Sequence, residues 1–303
     1  SKECYSPTIQ LVRNLGKFGI RTKLAYPTAE SLIESIDRSV NLIFVEVITN
    51  PTVKVVDVRE LARVAEEVGA KLVVDNTFAS PVLYNPLVDG AWIVVHSLTK
   101  YLSGHNDTVG GAVIGPKALL SGDMWHWRKN LGSIMSPFDA FLTIRGLSTL
   151  ELRFERHSES ALAIAEFLQD HPRVEEVYYP GLPDSPYKPI ADRLFKRRLY
   201  GGVLSFKVKG GREEALSILP KLRLITTSPS LGGPESLISY PAESASKYLE
   251  PETRKELGIT ENLLRLSVGL EDIESLIEDL DAALGGKTTE KEVINVRVRG
   301  GSP

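Results

Sequence analysis

One cysteine, Cys4, is all that 303 residues contain, so the chain can build neither an intrachain disulfide nor a multi-cysteine metal site. No apolar run approaches the length of about 18 residues that an ordinary membrane-spanning helix requires. Charge of one sign is not massed anywhere: Lys+Arg 36 are interspersed with Asp+Glu 39, for a formal net charge of -3. That balance argues against a general nucleic-acid surface. His126, His157 and His171 lack the compact spacing of metal ligands, so surface or packing roles are expected for them and no metal site is called. The opening residues SKECYSPTIQ have no basic stretch leading into an apolar one, so they do not read as a secretory signal, and the reducing cytoplasm is the expected compartment. Hydrophobic residues at 42%, charged residues at 25%, Gly 24 and Pro 18 are ordinary values for a folded chain. The length suffices for a sizeable core and about two domains.

Residues 40 to 47, VNLIFVEV, form an apolar run of strand length. A helix is expected to follow from Asp57, which has capping-box spacing to Glu60, with Val58, Leu61, Val64, Ala65 and Val68 on one stripe and Gly69 as its stop. KLVVDN at 71 to 76 and AWIVVHS at 91 to 97 are the next strands. Near-continuous β-branched runs alternating with helices predict a parallel α/β sheet covered on both faces. Ser136-Pro137 opens a long helical stretch running with interruptions towards Asp170, and Gly146 argues against one straight helix. Trp125, His126 and Trp127 read as core or interface packing. GGVLSFKVKG at 201 to 210 and LLRLSVG at 263 to 269 read as strands, and 272 to 284 as an amphipathic helix. The expected division is 1–151, 152–285 and a tail, 286–303.

The sharpest chemistry lies in VVDNTFASP at 73 to 81 followed by VVHSLTKYLSGHNDTVGGAVIG at 94 to 115. Asp75 and Lys100 then stand at the ends of neighbouring strands, where ligands collect in open parallel sheets. Such a pair can be a structural ion pair. It also suits pyridoxal phosphate, whose aldehyde takes a lysine amine and whose ring nitrogen needs an acidic partner. Ser97 and Thr99, just before the lysine, carry hydroxyls able to donate to phosphate oxygens, or serve as ordinary strand-end hydroxyls. Asn50 either contacts a ligand or forms an Asx turn before Pro51. Arg265 suits a substrate carboxylate by its planar fork, or sits in an internal ion pair.

The segments YSPT, TNP, DNTFASP, HSLTKYLSGH, GGVLSF, SLGGPESL and LLRLSVGLED resemble the Cys/Met-metabolism family of pyridoxal-phosphate enzymes, which includes cystathionine γ-synthases, cystathionine γ-lyases and methionine γ-lyases. The resemblance runs from about Cys4 to Leu284. It implies a large domain of the aspartate-aminotransferase-like α/β architecture, fold type I, with a smaller C-terminal α+β domain. It further implies Lys100 as the lysine that bonds the cofactor, Asp75 as partner of the pyridine nitrogen, and Ser97 and Thr99 as phosphate ligands. Tyr5 would stack on the ring and assist proton transfer at the leaving group. Thr77 either packs on the ring with its methyl group or is a strand-end structural hydroxyl. Arg265 would bind the α-carboxylate, with Ser230 and Asn50 as polar contacts. The substrate class implied is a sulfur amino acid or an activated homoserine, and the assembly a homodimer or a dimer of dimers.

Departures narrow the reaction. Pro229 stands where cystathionine γ-lyases often carry glutamate before the SLG loop, which weakens cystathionine cleavage. Tyr5-Ser6-Pro7-Thr8 replaces the YGCT of methionine γ-lyases, and EVITNP departs from the commoner ESPTNP. Family chains also carry about a hundred residues ahead of this region, including a helix N-terminus whose amides cradle phosphate. Those residues are not in this sequence. A noncatalytic assembly subunit is therefore the competing expectation.

Overall fold

A computed structural model describes residues 1–286. The expected tail therefore falls, beyond Gly286, outside the described residues. Four strands form the first sheet in the order β1-β2-β3-β4: β1 Leu42–Glu46, β2 Lys71–Asp75, β3 Ile93–Ser97 and β4 Gly111–Ile114. The first three are parallel as expected, whereas β4 returns antiparallel to β3. The parallel reading is thus corrected at one edge. The connection from Ser97 to Gly111 holds only the helical turn Leu98–Leu102, and its two ends are tied together by the Leu98 amide donating to Gly110 O, so the chain returns beside β3 instead of crossing over the sheet.

The crossover between β1 and β2 is the helix Val58–Val68. The Asp57 side chain caps it by accepting from the Glu60 amide, and Gly69 ends it with φ 77°. Its Val58, Leu61, Val64 and Ala65 are buried. Each large apolar side chain so covered contributes about 1.5–3 kcal/mol.

The long helical stretch divides into Pro137–Leu147 and Leu150–Asp170. Ser136 caps the first by accepting from the Asp139 amide. Gly146 lies inside that helix rather than at the break, and its role is close approach. A Cβ there would collide with the carbonyl oxygen of Ser103 and stand 2.8 Å from its carbonyl carbon. Gly146→Ala is therefore expected to cost about 1–3 kcal/mol by overpacking, read as a lower urea midpoint with an unchanged slope.

The second sheet is five-stranded, in the order β5-β6-β9-β8-β7: β5 Val174–Tyr178, β6 Val203–Val208, β7 Thr226–Thr227, β8 Leu237–Ser239 and β9 Leu263–Ser267. All neighbours are antiparallel except β7 and β8. The helix Leu150–Asp170 joins the two sheets. Phe154 meets Tyr101 edge-on at 4.9 Å, beyond the first sheet, while Ile164, Ala165 and Leu168 enter the same continuous core as Leu204 and Phe206 of β6. The helix Ile273–Leu284, capped by Asp272, adds Leu276, Ile277 and Leu280 to that core.

Core packing is not the role of Trp125 and Trp127, which are exposed, along with Phe138, Phe141 and Ile144 of the next helix. Of the two expectations for these residues, the core reading fails because the two helices turn these apolar side chains away from the sheet. No helix among the described residues is long and apolar enough to cross a membrane, and no group of three or more His, Cys, Asp or Glu among them could hold a metal ion.

Candidate active site

The first sheet builds one half of the site from strand ends. β1 and β2 run parallel with Glu46 opposite Asp75, and β2 pairs with β3 so that Asp75 stands opposite Val95. Chain direction therefore delivers Glu46, Asp75 and Ser97 to the same edge. Thr77 ties that edge together. Its amide donates to Asp75 Oδ1 at 2.9 Å, and its hydroxyl accepts from the Ser97 amide at 2.9 Å. Burial raises the Asp75 carboxyl above its ordinary range, and the bonds from Thr77 pull it back.

After β3 the chain enters a wide helical turn, Leu98–Leu102, broken at Lys100, where φ -94° and ψ -131° leave the helical region. The turn holds this conformation because Arg153 reaches in from the long helix. Its Nη1 donates to Tyr101 O at 2.9 Å and its Nη2 to Gly146 O at 2.8 Å. A buried guanidinium is tolerated here because carbonyls accept its protons. Arg153 was not singled out in the sequence, where it is one more charge in a helical pattern. Thr99 is fastened to Gly110, accepting from its amide at 3.0 Å and donating to its carbonyl at 3.4 Å. The latter bond is long, so the hydroxyl can turn to a better acceptor.

The second sheet supplies the other half. Arg265, on β9, is 2% exposed and donates through Nη1 to Asn50 Oδ1 at 2.9 Å. Its Nη2 donates to Pro229 O at 2.7 Å and Ser230 O at 3.1 Å, while Nε has no partner among the described residues. No carboxylate of the protein faces it in an ion pair among the described residues, so the internal ion-pair alternative fails. Burial pulls this guanidinium down to about 10, which marks a cation short of a counter-charge. Ser230 completes the link, because the Lys100 amine donates to its Oγ at 2.9 Å. Burial first, and the Arg265 charge second, lower the Lys100 amine from its ordinary value. Gly232, φ 78°, lets the SLGG loop approach this turn, since a Cβ there would lie 2.8 Å from the Tyr101 amide.

Asn50 does not depend on an Asx turn for its place; it bridges the two sheets. The Thr49–Lys54 loop that carries it is anchored by Glu3, fully buried, which accepts from Thr49 Oγ1 at 3.0 Å, the Thr52 amide at 2.8 Å and Lys54 Nζ at 2.6 Å. Tyr5 is 54% exposed, and its amide donates to Glu46 Oε1 at 2.7 Å, which sets it beside the end of β1. Among the described residues its hydroxyl makes no hydrogen bond and its ring no aromatic contact, so both are open to a ligand. His96 and His157 are each held at about 4 by burial, hence neutral, and His157 Nδ1 lies 2.7 Å from Val268 O. Both therefore stand outside acid–base chemistry near neutral pH.

A half-buried lysine at a broken turn, a strand-end carboxylate and an arginine short of a counter-charge are groups whose chemistry suits an amino acid and an aldehyde cofactor. The Cys/Met metabolism PLP-dependent enzyme family matches residues 1–285. The cystathionine beta-lyase of Coxiella burnetii is 40% identical over 286 residues, 93% of this chain and 73% of that protein. The cystathionine gamma-synthase of Mycobacterium bovis is 46% identical over 244 residues, 80% of this chain and 62% of its own length, less than two thirds. Among solved structures, cystathionine gamma synthase from Xanthomonas oryzae pv. oryzae, in complex with aminoacrylate and cysteine, superposes with a TM-score of 0.87 at 42% identity, covering 94% of this chain and 73% of that one. The chain belongs to the Cys/Met metabolism family of pyridoxal-phosphate-dependent enzymes.

The residues present fit that cofactor. Among the described residues the Lys100 amine meets only the Ser230 hydroxyl, Asp75 meets no cation in an ion pair, and the Thr99 hydroxyl donates over a long bond to Gly110 O.

Proposed function

We propose that this chain carries the reacting centre of a pyridoxal-phosphate enzyme that replaces or eliminates a group at Cγ of a sulfur amino acid or activated homoserine, as in cystathionine γ-synthase- or γ-lyase-like transsulfuration. The observation that carries this reading is the Lys100 amine held 2.9 Å from Ser230, whose carbonyl also accepts from Arg265. Amine and carboxylate-binding group are thereby joined through one residue.

Bound pyridoxal phosphate supplies an electron sink for negative charge at Cα, and then Cβ, of an amino acid joined to it. Lys100, whose amine burial lowers from the ordinary lysine value, would be the base that removes and returns the proton at Cα. Asp75 offers its anion to the pyridine nitrogen. Ser97 and Thr99 would donate to phosphate oxygens, and Thr77 would pack on the ring with its methyl group. Arg265 receives the α-carboxylate, with Asn50 and Ser230 fixing the guanidinium plane. Tyr5 handles the proton at the departing Cγ substituent.

The expected outcome, with protein, pyridoxal phosphate, an acylated homoserine and cysteine, is cystathionine detected by mass spectrometry only when both substrates are present. A keto acid formed without added thiol would instead favour elimination of the methionine γ-lyase kind. Neither product, with no visible band on cofactor addition, would leave the assembly-subunit alternative standing. A division near residue 151 is supported by the two sheets falling on either side of it. The exposed band from Trp125 to Ile144 supports a symmetric dimer or dimer of dimers, and the lone cysteine supports a cytoplasmic location.

A further inference from the structure

Glu46 has no part in the chemistry so far, yet its place is conspicuous. It ends β1 directly opposite Asp75 in a parallel register, so their Cα atoms are about 4.8 Å apart and their side chains leave the sheet on one face. It is 6% exposed. One oxygen, Oε1, accepts from the Tyr5 amide at 2.7 Å, and the other, Oε2, is buried without a partner among the described residues. A buried anionic oxygen with no donor is costly, and two adjacent carboxylates in one low-dielectric place cannot both stay ionised.

We propose that Glu46 is a positioning residue that stays an uncharged carboxylic acid, leaving Asp75 the single anion of the pair for the ring nitrogen while fixing Tyr5 beside it. This inference deepens the cofactor reading and rests on it. The groups that act on Glu46 agree with the assignment. Burial is the largest influence, Asp75 on β2 the next, and Glu3 adds a third push upward; the Tyr5 amide opposes them. The chemical logic follows from charge matching. A protonated ring nitrogen carries one positive charge, which one carboxylate balances, whereas a doubly charged pair would repel itself before the cofactor arrived. The proton on Glu46 removes that repulsion without removing the acceptor that holds Tyr5.

Glu46→Gln imitates the uncharged acid and keeps an oxygen for the Tyr5 amide, whereas Glu46→Ala removes that oxygen. With the cofactor-loaded protein, Glu46→Gln is expected to keep the visible band and a cofactor Kd within about threefold of the parent, and Glu46→Ala to weaken binding about tenfold. A parallel cofactor-free infrared difference spectrum, parent minus Glu46→Gln at neutral pH, is expected to contain the carbonyl stretch of a protonated carboxylic acid. Two results would overturn the proposal: no such stretch, or a Glu46→Gln protein as impaired as Glu46→Ala. If the parent itself takes up no cofactor, the cofactor reading fails, and the infrared spectrum still decides the state of Glu46.

Discussion

Lys100→Ala is expected to abolish the visible band formed with pyridoxal phosphate and to lower turnover by about 10⁴-fold or more. On the proposed function two roles would be lost in one substitution, since the amine would both bond the aldehyde and move the Cα proton. The environment explains why no neighbour takes over. The Lys100 amine touches the Ser230 hydroxyl, and its lowering by burial and by Arg265 makes it a better nucleophile near neutral pH than a surface lysine. Arg265 cannot replace it, because a guanidinium stays charged even when burial pulls it down to about 10. Lys100→Arg is thus expected to be as inactive as Lys100→Ala. Stability should change little, because the amine makes a single hydrogen bond to a side chain and no ion pair among the described residues. Absorption titration and a thermal melt on each variant test this, and a band that survives Lys100→Ala would remove Lys100 from the chemistry.

Arg265→Lys is expected to raise KM for the amino-acid substrate about 10²-fold with a smaller change in kcat, measured by initial rates. Lysine keeps the positive charge but offers a point donor where a planar fork is required. It would also surrender the bonds that Arg265 makes to Asn50 Oδ1 and to Pro229 O, so those acceptors would need new partners in a buried setting. Arg265→Ala is the less informative variant, since it opens a cavity at a fully enclosed position and confounds binding with folding. Because cofactor attachment does not use Arg265, the visible band should survive Arg265→Lys. Loss of the band would mean that Arg265 acts by holding the fold rather than by receiving a carboxylate.

The strands at 42–46, 71–75 and 93–97 were legible because β-branched runs bounded by turn residues leave little else for the chain to do. The capped helix from Val58 was legible through Asp57 and Gly69. Residue types alone suggested that Asp75 and Lys100 could share a ligand. Glu3 and Arg153 were not singled out, and Glu46 was legible only as a strand-end residue without a role, because nothing local distinguishes a charge that will be buried from one that will face water. Their meaning depends on partners 41 to 52 residues away. Asn50 shows the same limit: beside Pro51 it reads as a turn former, and only the return of β9 turns its carboxamide into the holder of a guanidinium.

That long return has a consequence for how the site comes into being. Glu46, Asp75 and Lys100 assemble over short stretches of chain, whereas Lys100 meets Ser230 across 130 residues and Asn50 meets Arg265 across 215. Closing such loops carries an entropic cost that only the finished core repays. The half that grips the aldehyde can therefore be in place while the half that recognises the amino acid is still unbuilt. Recovery of carboxylate recognition after dilution from denaturant then marks completed folding, whereas return of the first sheet alone does not.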